Sequence, residues 1–452
     1  MTTVVVGGGI SGLACAHALK KRGERVLLLE ASERVGGIIR SEQVDGFLLE
    51  AGPNSLLDRE PVMRALVEEL GLTVRPAAVA VKKRFVYTRG ALRAVPSSPP
   101  AFLKSDVLPF GAKARAVAEL FSRRGPGGEE SLGDFARRHL GREATSVLVD
   151  AMQSGIFAGD PERLSVGAVF PQLVKMEREH RSLILALIRA EKARRRAPAK
   201  TDSTGDTYSF EGGLESVVRA LEARLGDAVH RRVALQSLRR EGPGWRLSVL
   251  RETVQETLEA DAVVLATPAY VSAEVVRPLD AELASELAGI EHAPVAVVNL
   301  GYARADAASV PEGFGFLVPE REGRKLLGCI FASHAFPHRA PTDGLLLTCM
   351  VGGARHPERV ALDEAALTAL AREEVAVTLG VTAAPRLVRV SRWTHGIPQY
   401  NIGHLARLER MEARLARLPG LHLTGNALRG VGINDCVREA SALAGRIVPV
   451  KA

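Results

Sequence analysis

Thr2-Thr3-Val4-Val5-Val6-Gly7-Gly8-Gly9-Ile10-Ser11-Gly12-Leu13 is the stretch that decides the fold. The β-branched valines read as a short buried strand, and glycines then fall at positions 7, 9 and 12. Residues 13–21 continue with small and apolar side chains at helical spacing, which places the motif at a strand-to-helix turn. In that setting Gly7 permits the turn, Gly9 admits a pyrophosphate to the backbone, and Gly12 lets the helix pack on the strand. The helix N-terminus offers the phosphates unpaired N–H groups and a partial positive charge. Val26-Leu27-Leu28-Leu29-Glu30 is a second buried strand, ending in an acid where a ribose hydroxyl needs an acceptor. A dinucleotide binds here.

Outward from this motif, 452 residues are long for one domain and predict two or three. A formal charge of +8 favours acidic partners: an anionic substrate or a phospholipid surface. Nucleic acid, a third class of acidic partner, is the least favoured, because there is no basic stripe interleaved with aromatics and no helix-turn-helix or finger pattern. Cys15, Cys329, Cys349 and Cys436 show no CxxC spacing and no pairing logic, which fits a reduced cytoplasmic setting. His334 and His338 flank Pro337 without an acid or thiol beside them, and read as loop histidines with no metal. The first strand starts almost at Met1, which implies no signal peptide. No apolar run reaches the ~18 residues of a membrane span.

Further along, Arg34-Val35-Gly36-Gly37 is a second glycine motif, and residues 47–55 end a strand in a breaker-rich turn. Residues 60–70 read as a helix and 84–95 as a hairpin. Helical periodicity then dominates over 112–121, 132–140, 144–153, 165–174 and 182–194. Residues 175–200 carry nine basic against three acidic side chains beside the apolar run 183–188. A basic amphipathic lobe suits an anionic membrane surface; the other reading is the solvated face of an ordinary helical domain. Strand signals return near Val233, at 245–250 and at Ala262-Val263-Val264-Leu265-Ala266-Thr267-Pro268, a buried strand ending in small residues. Strands at 296–302, 315–318, 325–333 and 345–352 suit an antiparallel or mixed sheet. The chain closes on residues 421–426, a loop, and Gly430-Val431-Gly432-Ile433-Asn434-Asp435-Cys436, where Asn434 or Asp435 is expected to cap the final helix.

Glu30 alone permits NAD or FAD. The absence of a second GxGxxG, and glycine motifs at both chain ends around long insertions, favour FAD in a discontinuous domain. These motifs together resemble the flavin amine oxidase and desaturase superfamily. Within it, residues 49–55, 84–87, 154–160, 209–214, 313–319, 350–353 and 396–400 resemble the oxygen-dependent protoporphyrinogen oxidases, over nearly the whole chain. The loop Ala427-Leu428-Arg429 lacks the aromatic that amine oxidases place beside the flavin.

The resemblance implies an α/β fold of three parts. These are a discontinuous Rossmann-type FAD domain (1–78, 206–270 and 399–452), a mixed-sheet substrate domain (79–98, 188–205 and 271–398) and an all-helical membrane-docking lobe (99–187). By similarity, Gly7, Gly8, Gly9, Ile10, Ser11 and Gly12 serve the pyrophosphate region with Arg34, Gly36, Gly37 and Ile38. Glu30 and Ala31 serve the ribose, and the Val233 backbone the adenine. Gly52, Pro53, Asn54, Ser55, Trp393, Gly425, Val431, Gly432 and Ile433 surround the flavin; by residue type alone Trp393 is equally a core aromatic. On the substrate side the resemblance assigns Arg84 to a propionate, through a two-pronged donor geometry. Without it, Arg84 is one charge of the run Lys82-Lys83-Arg84. Phe314, Leu317, Ile330 and Met350 match apolar positions around the macrocycle, and Gly155 a position whose backbone faces flavin and substrate.

The implied reaction oxidises porphyrinogen methylene bridges in two-electron rounds, with oxygen as acceptor and hydrogen peroxide as co-product. No side chain is assigned as general base, because no Ser/His/Asp or Cys/His arrangement offers one. Coproporphyrinogen is an alternative substrate, and an amine or carotenoid oxidase an alternative class. A non-enzymatic relative with the same architecture is a third reading, opposed by the intact glycine motifs. The resemblance leaves peripheral contact with the inner face of the cell membrane and a homodimer open.

Overall fold

The computed structural model describes residues 1–78, 83–121, 125, 127–180, 182–196 and 207–447. Lys82, Arg181 and residues 197–200 of the basic stretch, and residues 197–205 of the 188–205 boundary segment, lie outside them.

Five parallel strands form the first sheet: β1 (Thr2–Val6), β2 (Arg25–Glu30), β3 (Val229–Arg231), β4 (Ala262–Leu265) and β5 (Leu421–Leu423). Their spatial order is β3-β2-β1-β4-β5, so the sequence doubles back from β1 to both sides. That reversal opens a crevice at the carboxyl ends of β1 and β4, where ligands of such sheets bind. Alternation along the strands buries both faces. Val5, Leu28 and Val264 pack under helices Ile10–Lys21, Glu215–Leu225 and Ile433–Arg446. Val4, Val6, Val263 and Leu265 pack against Trp245 of a three-stranded meander and three further helices. The meander's outer strand, Val254–Ala260, is mostly exposed and polar, and escapes a reading based on apolar runs.

The second sheet has seven strands, in the order Leu387–Pro398, His292–Ala303, Gly344–Gly352, Leu326–Ile330, Gly315–Leu317, Phe85–Thr88, Ala91–Ala94. Every pairing is antiparallel except Gly315–Leu317 with Phe85–Thr88, so the sheet is mixed. Leu345, Leu347, Cys349 and Val351 face helix Glu364–Leu379 in one core. Residues one step out of phase with these face the opposite way, toward the nucleotide-binding half. Cys329 and Cys349 stand opposite each other in register, with their thiol sulfurs 3.7 Å apart, although their spacing in the sequence suggests no such meeting.

The described residues of 99–196 form helices and no named strand, as expected, with two corrections. The helix expected over 165–174 is broken: Val166–Val169 ends at Phe170, and Pro171 starts a new helix to His180, since proline lacks the N–H to continue the first. The helix expected over 144–153 runs on to Phe157, with a wide turn over Thr145–Val149. No described helix is long and apolar enough to cross a membrane.

The final helix is not capped as expected. It starts at Ile433 with Gly432 as N-cap, so Asn434 and Asp435 already lie within the first turn. Asn434 Nδ2 donates instead to the Leu57 carbonyl at 2.7 Å, and Asp435 pairs with Arg438. His334 and His338 lie in short helical turns (Ala332–Ala335 and Pro337–Arg339), not in an open loop. No described cluster of residues could hold a metal ion.

Candidate active site

The glycines set the geometry of the crevice. Gly7 has φ +106°, and a Cβ there would lie 2.8 Å from the Ala266 carbonyl oxygen at the end of β4. A Cβ on Gly12 would strike the Gly7 carbonyl oxygen, so helix and strand can approach only because residue 12 is glycine. Gly9 differs: φ is −68°, and no atom lies within 4 Å of where its Cβ would be. Its bareness relieves no crowding within the protein and leaves a space at the helix N-terminus. The N-cap Gly9 has no side chain to close the helix, and neither does Gly432 at the start of the final helix.

The second glycine motif lies directly beside the first. Gly36 N–H donates to the Gly8 carbonyl at 2.7 Å, and Gly9 and Gly36 form an isolated parallel bridge. Arg34 braces this loop, its guanidinium donating to the carbonyls of Gly37 and Ile39 at 2.9 and 2.6 Å. In this structure Arg34 thus shapes the loop. Glu30 accepts from Gly8 N–H at 2.7 Å and from the Ser32 N–H and hydroxyl at 2.8 and 2.7 Å. A carboxylate has about four acceptor positions, so one is left for a hydroxyl. Ala31 follows at the exposed tip of β2, and buried Val233 opens the strand that continues from β3. Beside them lies a cavity of about 660 Å³ of mixed charge, lined by Arg34, Arg231, Arg232 and Arg251 together with Glu33 and Glu252.

From there the residues assigned to the flavin follow in contact. A Cβ on Gly52 would strike the Ile38 carbonyl oxygen, and Trp393 Nε1 donates to the Ala51 carbonyl at 2.7 Å. Trp393 is only partly buried, at the edge of the crevice, and is not a core aromatic. Pro53 and Ser55 complete the turn, and the Asn434 bond to Leu57 brings Val431, Gly432 and Ile433 to its far side. Gly425 follows β5 with φ +139° near Thr267. Asn434 Oδ1 is buried here without a partner among the described residues. An open space over Gly9, an acid with one acceptor position spare, two helix N-termini and an orphaned buried oxygen fit a flavin dinucleotide.

Most of the residues that the resemblance assigns to the substrate lie on or beside the second sheet. Leu317 pairs with Gly328 and Gly328 with Met350, and Ile330 lies two residues further along the same face. Gly155, exposed on helix Asp150–Phe157, packs against Leu317, since a Cβ there would lie 2.7 Å from Leu317 Cδ2. Arg84 directly precedes the strand Phe85–Thr88, whose Val86 packs near Leu317. The Arg84 guanidinium lies 5.3 Å from the Phe314 ring centre and donates to Thr207 Oγ1 at 3.3 Å.

Two ion pairs escaped the sequence reading, the first fully buried and the second partly exposed at its arginine. Arg339 and Glu50, each about 1% exposed, pair at 3.1 Å beneath the 50–55 turn. Burial pushes the Glu50 carboxyl up to about 7, against Arg339, the Leu214 N–H and the Ser41 hydroxyl. Asp150 pairs with Arg355 at 2.8 Å at the start of the Gly155 helix. An acid ending the buried strand Phe47-Leu48-Leu49-Glu50 signals a partner, but nothing local points to Arg339, 289 positions away.

The profile of the family described as flavin containing amine oxidoreductase matches residues 10–448. The chain belongs to that family. It is 36% identical over 471 residues to the human protoporphyrinogen oxidase, covering 97% of this chain and 96% of that protein. It is 30% identical over 456 residues to the coproporphyrinogen III oxidase of Bacillus subtilis (strain 168), covering 97% and 96%. A crystal structure from Exiguobacterium sp. 255-15 superposes with a TM-score of 0.85 at 29% identity, covering 98% of both chains. The chain is therefore a flavin-dependent oxidoreductase, and FAD is its cofactor.

Proposed function

We propose that this chain oxidises protoporphyrinogen IX to protoporphyrin IX, with oxygen as final acceptor and hydrogen peroxide as co-product. Near full-length similarity to proteins named protoporphyrinogen oxidase carries the reading. Bound FAD supplies the two-electron acceptor that no side chain can provide. The protein's task is then to hold the cofactor, place the macrocycle and keep the reacting carbon dry. In this reading Gly9 and the adjoining helix N-terminus receive the pyrophosphate, Glu30 a ribose hydroxyl, and the 52–55 turn, Trp393 and residues 431–433 the ring. Leu317, Ile330 and Met350 offer a flat apolar wall to the macrocycle, Gly155 opposes them, and Arg84 with Phe314 receives a propionate at the rim. Protons leave to solvent.

The domain division of 1–78, 206–270 and 399–452, of 79–98, 188–205 and 271–398, and of 99–187 belongs to the same proposal. So does docking of the last part on an anionic membrane. Supporting it, Phe110 and Phe121 are 86% and 82% exposed on the segment 110–121, and Leu103 is 59% exposed beside Lys104. The Bacillus subtilis relative favours a second reading, with coproporphyrinogen III as substrate. The experiment is aerobic turnover of both porphyrinogens by the FAD-loaded protein, read as porphyrin fluorescence and peroxide. Faster turnover of protoporphyrinogen supports the first reading, faster turnover of coproporphyrinogen the second, and turnover of neither refutes both.

A further inference from the structure

Arg339 is among the largest fully buried side chains, and its contacts have an unusual destination. It ends a short helical turn on the substrate side, yet three of its four hydrogen bonds end on the 50–55 turn or the strand before it. Nη1 donates to Asn54 Oδ1 at 2.7 Å, and Nη2 to the Asn54 carbonyl at 2.7 Å and to Glu50 Oε1 at 3.1 Å. The fourth goes to Ser209 Oγ at 2.9 Å, and the guanidinium lies 4.4 Å from the Phe336 ring centre. Glu50 needs only one such cation, and it also accepts from the Ser41 hydroxyl at 2.7 Å and the Leu214 N–H at 2.8 Å. A pair serving stability alone would end at the carboxylate. This guanidinium instead grips both the side chain and the backbone of Asn54.

We propose that Arg339 is a positioning residue that fixes Asn54, and with it the turn that faces the flavin, from the substrate side of the protein. The proposal rests on the reading that the 52–55 turn contacts the cofactor. It explains why a buried charge is kept at a place where an apolar pair would fold as well or better. It also gives the second sheet a hold on the cofactor's surroundings. Asn299, on that sheet, adds a parallel tie by donating to the Glu50 carbonyl at 3.0 Å. A lysine at 339 would keep the charge beside Glu50 but could not engage Asn54 at two atoms at once.

The test uses the FAD-loaded protein with Arg339→Lys, Arg339→Gln, Glu50→Gln/Arg339→Gln and Asn54→Ala. Its readouts are the FAD dissociation constant, the visible flavin spectrum, kcat and KM separately, and Tm. Losing the charged hold on Asn54 is expected to weaken FAD binding and lower kcat by about 10-fold each, with substrate KM nearly unchanged. Arg339→Lys, which spares the ion pair, is expected to stay within a few degrees of wild type in Tm and still show the FAD and kcat losses. In Arg339→Gln the bare Glu50 lowers Tm. The double variant removes that stranded charge and is expected to recover Tm while leaving the FAD and kcat losses in place. Should FAD affinity, spectrum and kcat be normal in Arg339→Lys, or recover together with Tm in the double variant, Arg339 is only a folding residue and the proposal is overturned. If Asn54→Ala itself leaves FAD affinity and spectrum unchanged, the reading of the turn has failed. If Asn54→Ala perturbs them and Arg339→Lys does not, the positioning role has failed while that reading survives.

Discussion

Replacing Arg84 with alanine is expected to raise KM for the porphyrinogen by about 5- to 30-fold, with a smaller effect on kcat. A charge-assisted hydrogen bond contributes roughly 1.5–3 kcal/mol, but exposed pairs contribute only about 0.2–1. Arg84 stands between these cases. Its side chain is exposed, yet the Phe314 ring 5.3 Å away and Thr207 Oγ1 at 3.3 Å hold the guanidinium in place. About 1–2 kcal/mol follows, which is the stated range. The loss falls in KM because the propionate lies away from the reacting bridge and its charge does not change during oxidation. Arg84→Lys is expected to recover part of the loss, keeping the charge without the fork. The defect should shrink as salt is added to both proteins. The assay is steady-state porphyrin fluorescence with FAD content matched, beside Lys83→Ala, whose exposed side chain belongs to the same basic run. Equal KM in wild type, Arg84→Ala and Lys83→Ala would refute the assignment, and the propionate would have to lie elsewhere.

Three further outcomes follow from the same structure. Gly9→Val is expected to leave the apoprotein folded, because its Cβ site is empty, but to weaken FAD binding at least ~100-fold, whereas Gly12→Ala should depress apoprotein Tm because its Cβ meets the Gly7 carbonyl; equal behaviour of the two in Tm and FAD titration would contradict this. Phe110→Ser/Phe121→Ser is expected to weaken sedimentation with anionic liposomes without changing FAD content, and unchanged sedimentation at low salt would remove the docking proposal. Burial, opposed by the Leu428 carbonyl and aided by Arg407, holds the His404 imidazole below its ordinary basicity. Its stabilisation is complete above the unfolded pKa of about 6.5 and is lost as pH falls through the lower folded value. Tm should therefore fall as pH drops from about 6.5 toward that lower value, and fall less steeply in His404→Gln.

The nucleotide half was legible because its information is local. Strand, glycines, helix and acid occur within residues 2–30, and the structure places them in one crevice. Elements set by long-range partners were less so. The strand Val254–Ala260 carries no apolar run and pairs only because the meander supplies a neighbour. Asn434 looks like a cap in one dimension, but lies one position inside the helix and bonds Leu57 instead. Arg339 offers no local signal, since its acceptors lie on segments around residues 50 and 209 that only the fold brings together. By residue type alone Leu317 and Met350 are indistinguishable from core; their register across Gly328 sets them on one wall.

The central claim is that porphyrinogen electrons pass to FAD held in this crevice. The direct measurement mixes the FAD-loaded protein with protoporphyrinogen IX in the absence of oxygen and follows the visible absorption band of bound, oxidised FAD. The account predicts that the band bleaches on mixing, that it returns when air is admitted, and that porphyrin fluorescence grows with each cycle. A band that dithionite bleaches but protoporphyrinogen leaves unchanged would contradict it.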